Sequence, residues 1–111
     1  MKILFINGSP NKNGNTKALA DKMLQGKDYE TLNLTEYKIG CYGQNFADDQ
    51  LDEVIGKMKE ADVIVIGSPL YWHNICGAVR NVLDRFYGKV QQGELAGRTL
   101  YFLFLWTGTA E

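Results

Sequence analysis

Between Gly8 and Thr16 the chain reads GSPNKNGNT, directly after the apolar run Ile3 to Ile6. Ser9, Asn11, Asn15 and Thr16 place short hydroxyl and amide donors in one turn. Gly8 and Gly14 permit backbone angles that a side chain forbids. The spacing of Leu19, Ala20, Met23 and Leu24 predicts a helix that starts near Asn15. The first N–H groups of a helix lack backbone partners and lie at the positive end of its dipole, so an anion is favoured there. The turn therefore suits a phosphate. A smaller role is open to the same residues, because Ser9 or Asn15 alone makes a helix cap. A cap needs one such residue and this turn offers several.

Two other phosphate loops are excluded. A P-loop requires Lys directly after its second Gly, whereas Asn15 follows Gly14 here, and five residues separate the glycines instead of four. The dinucleotide fingerprint GxGxxG is absent as well.

A second turn, GSPLYWHN from Gly67 to Asn74, ends the most β-branched run of the chain. It carries Pro69, Leu70, Tyr71, Trp72, His73 and Asn74 where a polar loop is expected. Adjacent aromatics at a strand end facing a ligand crevice suit stacking on a flat ring, although one aromatic alone would more simply pack beneath the loop as core. A ligand with a phosphate at one end and a flat ring at the other is a nucleotide or a flavin mononucleotide.

Other chemically capable residues read as structural. His73 is the single histidine, so it has no second imidazole to share a metal. Asp84-Arg85 reads as the exposed end of a third helix. Asp48, Asp49, Asp52 and Glu53 read as helix-start charge, with Asp48 or Asp49 as the cap. Cys41 reads as an inert loop thiol, with nothing basic beside it to lower its pKa.

These turns need elements to position them. Lys2 to Ile6 reads as a strand, Asn15 to Leu24 as a helix, and Tyr29 to Leu34 as a second, weaker strand. Leu51, Val54, Ile55, Met58 and Ala61 recur at helical spacing. Asp62 to Pro69 is a continuous apolar run, as in a strand covered on both faces. Ala78, Val79, Val82, Leu83 and Phe86 form a third helical pattern, and RTLYFLFLW is a fourth apolar run ending at Thr107-Gly108. The order β-α-β-α-β-α-β predicts an α/β fold with parallel strands and right-handed crossovers. Ligands of such sheets bind beyond the carboxyl ends of the strands. Three of the four strands end there in glycine-containing polar turns.

With 111 residues the chain is read as one domain, 1–111. A net charge of -1 without a basic block argues against nucleic acid. The first apolar run is too short for a signal-peptide core, and no run approaches the roughly 18 apolar residues of a membrane span. Cys41 and Cys76, far apart and outside any CxxC, read as free thiols of a cytoplasmic protein.

The segments ILFINGSPNKNGNTKALA and ADVIVIGSPLYWHNICGAVRNVLDRF together resemble the flavodoxin-like NAD(P)H-dependent FMN reductase and quinone reductase family. The first is similar to that family's opening strand, phosphate loop and first helix, and the second to its third strand, flavin-ring loop and following helix. The resemblance runs in order along essentially the whole chain. It implies a doubly wound parallel sheet of order 2-1-3-4-5 with FMN at its edge. Ser9, Asn15 and Thr16 would hold the phosphate, with Asn11 and Gly14 nearby. Pro69 to Asn74 would line the flavin ring, and Thr107 and Gly108 would form a third loop at its far edge. The implied chemistry is transfer of a hydride from NADPH or NADH through FMN to a quinone, flavin or similar small acceptor, with no catalytic side chain. A flavodoxin-type electron carrier and a truncated, non-catalytic phospho-ligand or interaction domain are the competing readings.

Two departures from the family carry expectations. Some relatives hold an iron–sulfur cluster with a Cys-rich motif after the second strand; here YKIGCYGQNF contributes Cys41 alone, so no cluster is expected. The chain also stops after the fourth strand, where the family continues. The fourth strand should then be an uncovered sheet edge, with alternate residues of Val63 to Ile66 and of Leu100 to Leu105 facing water. A homodimer is the expected remedy.

Overall fold

In the computed structural model the chain is described at all residues except 42, 45, 72–73, 86–96 and 106–111; the side chains of Leu70, Tyr71, Asn74 and Ile75 are also outside the description. The β-branched and aromatic runs form the strands β1 (Ile3–Asn7), β2 (Glu30–Asn33), β3 (Val63–Tyr71), β4 (Asn74–Ile75) and β5 (Thr99–Leu105). The segments with helical spacing form α1 (Asn15–Met23), α2 (Leu51–Glu60) and α3 (Gly77–Arg85).

β1 lies parallel between β2, with Asn7 opposite Asn33, and β3, with Asn7 opposite Gly67. β5 runs parallel to β3 from Val63↔Thr99 to Pro69↔Leu105. The parallel order is thus β2-β1-β3-β5, the expected 2-1-3-4 arrangement, because β4 is a two-residue return strand paired antiparallel with the end of β3. The fold is flavodoxin-like α/β.

The pleat of the sheet divides the core. Ile3, Phe5 and Val65 face α1 through Ala20 and Leu24. Leu4, Ile6, Ile64 and Ile66 face α2 and α3 through Val54, Ile55, Met58, Val79 and Val82. Burying each large side chain contributes about 1.5–3 kcal/mol, so β1 and β3, covered on both faces, hold the sheet.

Some sequence expectations change. Leu34 leaves the second strand for a 3-10 turn, Leu34–Glu36, yet stays buried. Leu19 and Met23 lie at the exposed margin of α1, since Thr16, Ala20 and Leu24 are the residues turned toward the sheet. Ile64, Val65 and Ile66 are buried, contrary to the expectation of an uncovered third strand: α1 covers one of its faces and α2 with α3 the other. β5 is largely exposed as expected, although Leu103 packs against the α1 side of the core. Leu100 (49% exposed), Tyr101 (49%), Phe102 (40%) and Phe104 (48%) all meet solvent. No helix among the described residues is long and apolar enough to cross a membrane.

Candidate phosphate and cofactor site

β1 and β3 end side by side, and the Gly8 N–H donates to the Gly67 carbonyl at 2.8 Å. That approach needs both glycines. A Cβ on Gly8 would lie 2.2 Å from Val79 Cγ2, and one on Gly67 would lie 2.8 Å from both Phe5 Cε1 and Thr16 Cγ2. Gly67 therefore makes room for Thr16 at the start of α1.

The loop from Gly8 to Gly14 folds through short local bonds. Ser9, 1% exposed, donates its N–H to Asn7 Oδ1 at 3.1 Å. Its Oγ accepts from the Asn11 N–H at 3.1 Å, and Asn11 Oδ1 accepts from the Asn13 N–H at 3.2 Å. Asn11 also packs beneath Gly14, where a Cβ would lie 3.0 Å from its Cγ. Neither Ser9 nor Asn15 caps α1: Gly14 is the cap residue and supplies no side-chain hydrogen bond. Thr16 sits in the first turn of the helix, 1% exposed, and its Oγ1 has no hydrogen-bond partner. A buried, unsatisfied hydroxyl costs roughly 1–3 kcal/mol, so its presence at an uncapped helix start has the character of a ligand contact.

Of the expected ring-side residues, Pro69 is fully buried in β3 with Leu105 as register partner. The Leu70 and Tyr71 backbones continue β3, and Asn74 pairs with Tyr71 as the chain turns back. Trp72, His73, Thr107 and Gly108, like Phe86 of the third helical pattern, lie outside the described residues. The hairpin is fixed at its base by Ser68, whose Oγ accepts from the Cys76 N–H at 3.0 Å and donates to the Pro69 carbonyl at 2.9 Å. Cys76, read from sequence only as a free thiol, is buried and donates its S–H to the Gly8 carbonyl at 3.2 Å. It joins the hairpin to the phosphate loop.

The segment before α2 is fastened to α3. The Asp49 carboxylate accepts from the Leu51 N–H (2.9 Å), the Gly40 N–H (2.8 Å) and Arg85 Nη1 (2.7 Å). Arg85 also donates to the Gly40 carbonyl at 2.8 Å, and Asn81 donates to the Ile39 and Gly40 carbonyls. The Arg85 guanidinium, helped by these two N–H groups against some desolvation, lowers the Asp49 pKa to about 2. Asp84 is exposed as expected, but Arg85 is not: its side chain and that of Asp49 are each 12% exposed. The cap residue of α2 is Gln50, not Asp48 or Asp49 as expected; Asp49, one residue earlier, accepts from the first helical N–H and also binds the buried arginine, which a helix-start charge does not need.

Residues 1–110 match the NADPH-dependent FMN reductase family. The chain belongs to that family. It is 41% identical over 98 residues to an iron-sulfur flavoprotein of Archaeoglobus fulgidus, covering 77% of this chain and 48% of that one. It is 33% identical over 89 residues to an NADPH azoreductase of Bacillus sp. (strain OY1-2), covering 76% and 49%. The solved structure of the Trp repressor binding protein from Bacillus subtilis superposes with a TM-score of 0.76 at 25% identity, over 94% of this chain and 66% of that one. The chain spans about half the length of the curated relatives it matches.

The family's FMN fits the phosphate end of this site. Thr16 Oγ1 and the uncapped N–H groups lie together at the start of α1 as donors without a side-chain partner, and Ser9 Oγ keeps its proton to donate. An iron–sulfur cluster does not fit the donors of this chain. Such a cluster takes four cysteine thiolates. Here there are two cysteines, Cys41 exposed in the loop after β2 and Cys76 buried against Gly8.

Proposed function

We propose that this chain is the FMN-binding part of an NAD(P)H-dependent oxidoreductase that reduces a quinone, a flavin or a similar small organic acceptor. The observation that carries this reading is the buried, unpartnered Thr16 hydroxyl at the uncapped start of α1. Family membership and the azoreductase named among the relatives support the same class of reaction.

Thr16, Ser9 and the first N–H groups of α1 would anchor the 5′-phosphate. Gly8 and Gly67 let the two strand ends approach closely enough to make that cradle. By resemblance to the family, Pro69, Leu70, Tyr71, Trp72, His73 and Asn74 would line the ring, with Thr107 and Gly108 at its far edge. Bound FMN supplies the hydride and electron chemistry, so no acidic or nucleophilic side chain is assigned a catalytic step. Free thiols at Cys41 and Cys76 are in keeping with a cytoplasmic location.

Titration with FMN, followed by oxidation of NADPH or NADH in the presence of a quinone, tests the reading. Uptake of FMN with quinone-dependent turnover is the expected result. An FMN-loaded chain without turnover would be an electron carrier instead, and a chain that takes up no FMN would overturn the reading.

A further inference from the structure

Asn7 is the last residue of β1 and is completely buried. A buried amide costs free energy unless its groups are paired. Here each is paired, and the partners form a closed circuit. Asn7 Oδ1 accepts from the Ser9 N–H at 3.1 Å. Asn7 Nδ2 donates to Asn33 Oδ1 at 3.1 Å and reaches the Lys12 carbonyl at 3.5 Å. Asn33, its register partner on β2, donates from Nδ2 to Glu36 Oε1 at 3.2 Å. Glu36 Oε2 in turn pairs with Lys12 Nζ at 3.4 Å, which returns the circuit to the loop.

The geometry decides what the circuit does. Ser9 and Lys12 stand on either side of Asn11, so Asn7 grips the phosphate loop at both shoulders. Gly8, at the start of the loop, is tied by its backbone to Gly67 and Cys76; beyond it the other bonds of the loop are local turns, from Ser9 to Asn11 and from Asn11 to Asn13 and Gly14. Past Gly8, anchorage of the loop to the sheet thus passes through Asn7 and, one strand further, through Asn33. The Glu36 carboxyl is held below its ordinary pKa first by the Asn33 hydrogen bond and then by Lys12. It stays charged through the neutral range.

We infer that Asn7, Asn33 and Glu36 are positioning residues: a side-chain relay from the end of β2 that sets the phosphate loop in its anion-accepting shape and so tunes affinity for the 5′-phosphate. None of the three would touch the ligand. The inference rests on the FMN-binding reading given above. A loop held in its bound shape forfeits less freedom on binding, so loss of the relay weakens the phosphate contact and spares the ring.

Riboflavin, which has the ring without the phosphate, separates the relay from general damage. Dissociation constants for FMN and riboflavin are measured by fluorescence titration for the wild-type chain and for Asn7→Ala, Asn33→Ala and Glu36→Gln. Asn33 is only half-buried and Glu36 is exposed, so their variants fold even if Asn7→Ala does not. Asn33→Ala raises the FMN constant about 10-fold or more and leaves the riboflavin constant within about 2-fold. Glu36→Gln keeps an acceptor for Asn33 and loses the Lys12 pair, so its FMN effect is smaller, about 2- to 3-fold, and fades in high salt. Equal weakening of both ligands, or an unchanged ratio in Asn33→Ala, overturns the relay while the FMN reading stands. A wild-type chain that binds neither ligand overturns both.

Discussion

Thr16 shows how a single side chain separates stability from function. In the ligand-free chain its hydroxyl is buried without a partner, which opposes folding by roughly 1–3 kcal/mol. With a phosphate present the same hydroxyl gains a charge-assisted hydrogen bond worth roughly 1.5–3 kcal/mol. Thr16→Val, nearly isosteric, therefore has opposite effects on the two states. The ligand-free chain becomes more stable by about 1 kcal/mol in urea unfolding, and the FMN dissociation constant rises about 10- to 150-fold. A variant that loses stability without losing affinity would show Thr16 to be packing alone. The polar loop itself was legible in the sequence because Ser9, Asn15 and Thr16 are short polar residues near a helix start. Asn7 was not, because at the end of an apolar run it reads as the first residue of a turn. Only the β1–β2 register brings it against Asn33. Arg85 escaped for a similar reason: its partner Asp49 is 36 residues distant in sequence.

At the scale of elements, the helical spacing of α2 was fully legible, and Leu51, Val54, Ile55, Met58 and Ala61 are all buried. The two central strands were legible as well, since a strand covered on both faces must be apolar throughout. The hairpin of β3 and β4 was not, because the return strand is two residues long and leaves no periodicity to read. What fastens the loop before α2 is electrostatic, and it titrates. The Asp49 pKa is about 2 in the folded chain, held down chiefly by Arg85, against an ordinary value of 3.8. A depressed carboxyl pKa contributes stability that is present above the unfolded value and is lost as pH falls toward the folded one. The pair should thus contribute on the order of 1–2 kcal/mol above about pH 4, lost between about pH 4 and 2. Unfolding by urea from pH 7 to pH 2 checks this. The stability difference between the wild-type chain and Asp49→Asn should be steady above pH 4 and shrink below it. A difference that persists unchanged at pH 2 would assign the contribution to packing.

At the scale of the whole molecule, the two edge strands of the sheet differ among the described residues. β2 is four residues long and flanked by ion pairs such as Lys57–Glu30 at 3.1 Å, a short and charged edge of the kind that resists pairing. β5 is the opposite case: seven residues, TLYFLFL, apolar on both faces, with the rings of Phe102 and Phe104 stacked 5.8 Å apart on one of them. The occupant we propose is a second copy of the chain, with the two β5 strands antiparallel about a two-fold axis. That arrangement continues the sheet and sets Leu100, Tyr101, Phe102 and Phe104 of each copy beside cross-strand neighbours that shield part of their exposed surface. Each of these side chains is about half exposed, so each has roughly 1 kcal/mol of burial still to gain. Eight of them across a two-fold contact give about 8 kcal/mol, to which the new strand bonds add. Association itself costs about 4–15 kcal/mol, so the surplus is small and the contact weak. Light scattering coupled to size exclusion should accordingly show a concentration-dependent shift from monomer toward dimer at tens of micromolar. Tyr101→Lys or Phe102→Lys, which place a charge on the edge, should hold the chain as a monomer at the same concentration. A wild-type chain that stays monomeric across that range rejects β5 pairing, and a dimer that both lysine variants leave intact places the contact on another face.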